Sequence, residues 1–184
     1  MEVVEQAILG GADMVQLRDK KSSDEELVWQ AKELLVITRA HGVPLIVNDR
    51  IQVAKISGAD GVHLGQEDAS FPEARLILGE HAIIGRSTHS NEQALRAQAE
   101  GFDYIGVGPV FATATKPSYE PVGLELVRFA AKNLNTPFVA IGGIDETNGF
   151  QVREAGARAV AVVRAVMASQ NPKLTAEKIC KIME

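Results

Sequence analysis

Short runs of apolar, largely β-branched residues recur along the whole chain, and this recurrence limits what it can fold into more than any other feature. The runs cover residues 14–17, 44–47, 61–64, 83–87, 104–110, 137–141 and 159–163. They are almost wholly apolar instead of alternating, as in strands buried on both faces, and amphipathic stretches separate them. That order specifies βαβ units and a parallel sheet. Ser23-Asp24-Glu25-Glu26 and Ser90-Asn91-Glu92-Gln93 set a hydroxyl three residues before an acid or amide. This is the capping-box pattern, and it predicts helices over 25–39 and 92–100. Corners at Gly11, Gly58, Gly101 and Gly156 repeat before successive runs, where glycine ends a helix in the left-handed conformation.

Two architectures accept such a sheet. A doubly wound open sheet is disfavoured because no Gly-x-Gly-x-x-Gly turn follows the first run. Polar residues stand at the C-terminal end of nearly every run, which a barrel explains, since its strand ends converge on one mouth. The expected fold is therefore α/β, a TIM (β/α)8 barrel forming a single domain over residues 1–184. Seven runs are present and the chain opens on a helical pattern (Val3, Val4, Ala7, Ile8, Leu9), so the first barrel strand is expected to be lacking, through trimming or an open seam.

Nineteen basic residues against twenty-four acidic ones give a net charge of −5, so no overall positive field favours nucleic acid or anionic lipid. Aromatic residues make up only 5%, which leaves few platforms for stacking bases. The single cysteine, Cys180, has no internal disulfide partner, and no apolar run approaches a membrane span or a signal-peptide core. A cytoplasmic, reducing location is expected, with neither nucleic acid nor membrane as partner.

The residues at the run ends form an inventory suited to phosphate and metal: Gln16, Arg18, Lys20, Asn48, Asp49, Gln66, Asp68, Ser87, His89, Thr113, Thr115, Lys116, Gly142, Gly143 and Arg164. Asp49 and Asp68, from adjacent strand ends, suit Mg²⁺, which keeps several waters and takes other ligands from phosphate oxygens. Arg18, Lys20 and Lys116 offset the remaining charge of a diphosphate. The paired glycines Gly142-Gly143, with the loop after Val163, suggest a second anion site, because backbone N–H groups after the last two barrel strands commonly hold phosphate. Two anion sites in one mouth imply two phosphorylated substrates. No Ser-His-Asp order, Cys-His pairing or zinc-spaced cluster stands out.

The segments 15–20 (Val-Gln-Leu-Arg-Asp-Lys), 47–50 (Val-Asn-Asp-Arg), 61–68, 85–89, 106–116 and 141–144 resemble, in order and spacing over nearly the whole chain, the thiamine-phosphate synthase family. The resemblance implies a Mg²⁺-dependent transferase. It would join 4-amino-2-methyl-5-hydroxymethylpyrimidine diphosphate to 4-methyl-5-(2-phosphoethyl)thiazole, or its carboxylated form, giving thiamine phosphate and diphosphate by dissociative displacement. Asp49 and Asp68 match the metal ligands, and Arg18, Lys20, Asn48 and Lys116 the contacts to diphosphate. Gln16 and Ser87 match the pyrimidine side, Thr113 and Thr115 the pair reaching thiazole and diphosphate, and Gly143 the thiazole-phosphate cradle together with Val163 and Arg164. Arg18, Lys20, Ser87 and Lys116 are the expected catalytic residues. Many relatives have Ser in place of Arg164, whose side chain either faces the thiazole phosphate or points out of the barrel. A thiazole tautomerase of the same superfamily and a catalytically inactive binding module are the alternatives, and a homo-oligomer is compatible with all three.

His89 reads first as a hydrogen-bonded positioning residue and second as an acid or base. His41, His63 and His81 read as structural or surface residues, Trp29 as a packing residue within a helix, and Cys180 as an inert buried thiol.

Overall fold

The computed structural model describes residues 1–113 and 120–184. Strands and helices alternate along them: α1 (Glu2–Leu9), β1 (Val15–Leu17), α2 (Asp24–Ala40), β2 (Leu45–Asn48), α3 (Ile51–Ser57), β3 (Gly61–Leu64), α4 (Phe71–Leu78), β4 (Ile83–Thr88), α5 (Asn91–Glu100), β5 (Tyr104–Val107), α6 (Gly123–Asn133), β6 (Phe138–Ile141), α7 (Gly149–Glu154), β7 (Val160–Ala161), α8 (Arg164–Met167) and α9 (Pro172–Met183). The strands form one parallel sheet in the order β1 to β7, with the helices outside it, a TIM-like half-barrel as the apolar runs predict. Because every strand runs the same way, all their C-terminal ends share one rim.

The interior strands are apolar because both faces are covered. In β2, β3 and β5, Leu45, Ile46, Val47, Val62, Leu64, Ile105 and Val107 are at most 1% exposed. The edge strand β1 is only half-covered, and its Gln16 is exposed. Two predicted runs are longer than the strands they form. β5 stops at Val107 because Pro109 has no N–H for the ladder, yet the chain continues alongside β6, with Val110 N donating to Ile141 O at 2.8 Å and Phe111 N to Gly142 O at 3.0 Å. β7 keeps only two residues.

The helix termini follow the sequence signals. Ser23 accepts from Glu26 N while the Glu26 carboxylate accepts from Ser23 N, a complete capping box. At α5, Ser90 accepts from Gln93 N, but the Gln93 side chain accepts one residue further out, from His89 N at 2.7 Å. Removing the first cap with Ser23→Ala is expected to cost about 1 kcal/mol, readable as a lowered denaturant midpoint with an unchanged slope.

Two expectations are corrected. Trp29 is 63% exposed, because the buried stripe of α2 runs through Leu27, Ala31, Leu34, Leu35 and Thr38, and a residue two places after Leu27 faces about the opposite side. Cys180 is only partly buried, and its thiol hydrogen-bonds Gly11 O at 3.4 Å. Burial pushes the thiol up from its ordinary range, which agrees with an unreactive group. No described helix is long and apolar enough to cross a membrane.

Candidate active site

The parallel sheet carries the predicted residues to its C-terminal rim. Gln16 lies in β1, with Arg18 and Lys20 just beyond it; Asn48 ends β2 and Asp49 follows; Asp68 follows β3; Ser87 lies near the end of β4. Register places Asn48 beside His63, and Ser87 beside Gly106.

Three charged groups meet here. Lys20 Nζ lies 3.2 Å from Asp49 Oδ2, and the Asp49 carboxyl lies close enough to Asp68 to act on its ionisation. Asp68 is held by its own loop, accepting from Gly65 N at 2.6 Å. A Cβ on residue 65 would stand 3.0 Å from that carboxylate, so glycine permits the approach. Asp49 adopts φ = 62°, a left-handed backbone uncommon outside glycine but accessible to Asp, and its N–H donates to His63 O at 2.8 Å. Partial burial, followed by the Asp49 carboxyl beside it, raises Asp68 above the ordinary carboxylate range, while the Gly65 N–H works against that shift.

Two carboxylates this close repel unless a cation or a shared proton lies between them. A pair of carboxylates is a donor set that fits a cation drawing its remaining ligands from water and phosphate, as Mg²⁺ does; no third metal-ligating side chain joins the pair among the described residues. Arg18 adds an independent sign. Its Nε is buried and has no hydrogen-bond partner among the described residues, a cationic donor of the kind an anion satisfies.

Ser87 anchors a second group. Its Oγ lies 2.8 Å from His63 Nε2, and His63 Nδ1 lies 2.8 Å from the Tyr104 hydroxyl. Gln66 Nε2 donates to Ser87 O at 2.6 Å, fixing the backbone on the other side. His63 is therefore a buried member of the site and not a surface residue. No residue beside it in sequence marks it; strand register, which sets it against Gly85 and Gly106, brings it into this group.

Across the rim, Gly142 and Gly143 turn with φ of 105° and 65° against the returning Phe111–Ala112 segment. A Cβ on residue 143 would stand 2.7 Å from Ala112 O, so glycine is required there by packing as well as for any phosphate cradle. Asn148 Nδ2 donates to Gly143 O at 2.8 Å, and Asn148 itself is held by Asp145 N at 2.9 Å. The Thr147 hydroxyl, then backbone N–H groups, hold the Asp145 carboxyl below its ordinary range. Thr113 thus lies close in sequence to the segment packed on Gly143. Val163 and Arg164, at the start of the four-residue α8, are exposed. His89 hydrogen-bonds Gly108 O through Nδ1, as the positioning reading expects. Thr115 and Lys116 lie outside the described residues.

The thiamine monophosphate synthase family model matches residues 1–166. The thiamine-phosphate synthase of Prochlorococcus marinus (strain MIT 9313) is 45% identical over 183 residues, covering 100% of this chain and 52% of that protein. The thiamine-phosphate synthase of Shouchella clausii is 44% identical over 185 residues, covering 100% of this chain and 88% of that protein. The chain thus spans about half the length of some curated relatives it matches and most of others. Among solved structures, a thiamine phosphate pyrophosphorylase from Pyrococcus furiosus superposes with a TM-score of 0.91 at 37% identity, over 99% of this chain and 88% of that one. The 3-hexulose-6-phosphate synthase of Salmonella typhimurium, at 14% identity and a TM-score of 0.75 over 100% of this chain and 91% of that one, shares the fold alone. By the match to its model and by these relatives, the chain belongs to the thiamine monophosphate synthase family.

Proposed function

We propose that this chain, as one domain over residues 1–184, is a cytoplasmic transferase that forms thiamine phosphate from the pyrimidine diphosphate and the thiazole phosphate. The observation that carries the reading is the Asp49–Asp68 pair with Lys20 beside it, in a chain whose relatives are named thiamine-phosphate synthases.

In this reading Asp49 and Asp68 hold Mg²⁺, which, when bound, neutralises charge on the diphosphate as it departs. Arg18, Lys20, Asn48 and Lys116 grip the diphosphate oxygens. The bond between the pyrimidine methylene and the diphosphate breaks with both electrons on the leaving oxygen, giving a pyrimidine-methyl cation. The thiazole nitrogen lone pair then closes the new C–N bond. Gln16 and Ser87 orient the pyrimidine ring, while Thr113, Thr115, Gly143, Val163 and Arg164 hold the thiazole phosphate. Such a displacement requires stabilisation of leaving-group charge and no strong general base, consistent with a rim of cations and amides.

The test is turnover of the purified chain with both substrates, with and without Mg²⁺, following diphosphate release and thiamine phosphate formation. Mg²⁺-dependent product is expected. A folded chain that makes none, or that converts the thiazole phosphate alone, overturns the reading. Lys116→Ala is expected to slow the chemical step by about 10²-fold in single-turnover kinetics, whereas a change confined to KM would make Lys116 a uniform binding contact.

A further inference from the structure

The half-barrel interior holds a polar chain to which the proposed reaction gives no task beyond Ser87. His63 on β3, Ser87 on β4 and Tyr104 on β5 are 8%, 9% and 8% exposed, and they connect in line through the two 2.8 Å contacts at the His63 ring. The sheet is built to receive this chain. A Cβ on Gly85 would stand 2.2 Å from Tyr104 Cζ and 2.7 Å from His63 Nδ1, and a Cβ on Gly106 would stand 3.1 Å from His63 Cε1. Glycines on two adjacent strands thus form a slot in which the imidazole is held edge-on between a phenol and a serine, with the His63 and Tyr104 rings 5.3 Å apart.

The order of protons along this line follows from its far end. Burial pushes the Tyr104 phenol above its ordinary range, so the hydroxyl keeps its hydrogen and requires an acceptor. The nearby Gln16 side chain works against that rise without reversing it. The acceptor within reach is His63 Nδ1. A neutral imidazole that accepts at Nδ1 carries its hydrogen on Nε2, which donates to Ser87 Oγ. The hydrogen of Ser87 is then directed away from His63.

We propose that His63 and Tyr104 are positioning residues that fix the polarity of Ser87, so that its hydroxyl meets the substrate as a hydrogen-bond donor and selects a heteroaromatic ring presenting a nitrogen lone pair. The substrate half of this statement rests on the reading above that Ser87 lies on the pyrimidine side. The proton order does not. A ring with C–H at that place leaves the Ser87 hydrogen unpaired in a confined site, a mismatch that such sites reject strongly.

Two measurements test the proposal. In the unaltered chain labelled with ¹⁵N-histidine, NMR is expected to show His63 as the neutral tautomer with hydrogen on Nε2 and Nδ1 as acceptor. Hydrogen on Nδ1, or on both nitrogens, overturns it, and this readout needs no turnover, so it is independent of the synthase reading. In kinetics, Tyr104→Phe is expected to lower kcat/KM for the pyrimidine diphosphate about 10-fold, and to cause no further loss in a Ser87→Ala background. Equal losses in both backgrounds would make Tyr104 structural support alone and overturn the assignment.

Discussion

Replacing Asp49 or Asp68 by Asn is expected to lower Mg²⁺-dependent turnover by about 10³-fold or more while leaving the fold intact. Each substitution removes one formal charge from a pair that is the only concentration of carboxylates at this rim for which a metal role is proposed. A metal that stabilises leaving-group charge contributes several kcal/mol to the transition state, and about 4 kcal/mol corresponds to three decades of rate. The fold survives for separate reasons at the two positions. Asn is tolerated, like Asp, in the left-handed backbone that Asp49 adopts at φ = 62°. At residue 68 an amide oxygen still accepts from Gly65 N, and a neutral side chain removes both the cost of burying a charge there and the repulsion from Asp49. Rates measured across a Mg²⁺ titration, beside thermal melts of each variant, separate chemistry from stability. Turnover within about 10-fold of the unaltered chain in either variant would remove the metal assignment.

Gly61→Ala is expected to be the most damaging single methyl addition for stability. A Cβ there would stand 1.9 Å from the Ile83 carbonyl oxygen, and Gly61 and Ile83 are paired between β3 and β4. The obstacle is backbone in the middle of the sheet and cannot rotate aside, so the two strands must separate or shift register. Overpacking of this kind costs roughly 3 kcal/mol or more, equivalent to a fall of roughly 6–12 °C in Tm for a chain of this size. Gly58→Ala provides the contrast. Its Cβ meets only the flexible end of Arg39 at 3.6 Å, so the penalty is that of the left-handed backbone alone, about 1–2 kcal/mol. Similar melting temperatures for the two variants would show that the β3–β4 contact yields more easily than its geometry implies.

The architecture was legible because its cause is local. A strand buried on both faces has to be apolar, a helix start has to satisfy its free N–H groups, and both demands are written in neighbouring residues such as Ile46-Val47 and Ser23-Glu26. The polar ends of the runs located the rim for the same reason: charge at the end of a buried strand has nowhere else to go. What sequence could not supply was direction around a helix and pairing across strands. Trp29 sits among Leu27, Val28 and Leu34, and only the phase of the α2 stripe shows that it faces out. His63 has no sequence neighbour that marks it as functional. Its importance comes from Gly85, Ser87 and Tyr104 on adjacent strands, and register brings these together. The backbone strain at Asp49 was hidden for a similar reason, since Asn48-Asp49-Arg50 is compatible with an ordinary turn until the His63 carbonyl captures the Asp49 N–H.

The order of strands in the sheet is their order in the chain, and this shapes how the molecule comes into being. Gly61 pairs with Ile46, only fifteen residues back, and even the longest step, Phe138 to Ile105, spans thirty-three. Each new strand therefore finds its partner already formed just behind it, at the modest entropy of closing a short loop. Within this sheet each strand from β2 onward has its preceding neighbour already synthesised, so pairing in chain order needs no contact with a strand made much later. Asp49 and Asp68, in the loops after β2 and β3, are thus made well before Gly143, Val163 and Arg164, the residues proposed to hold the thiazole phosphate.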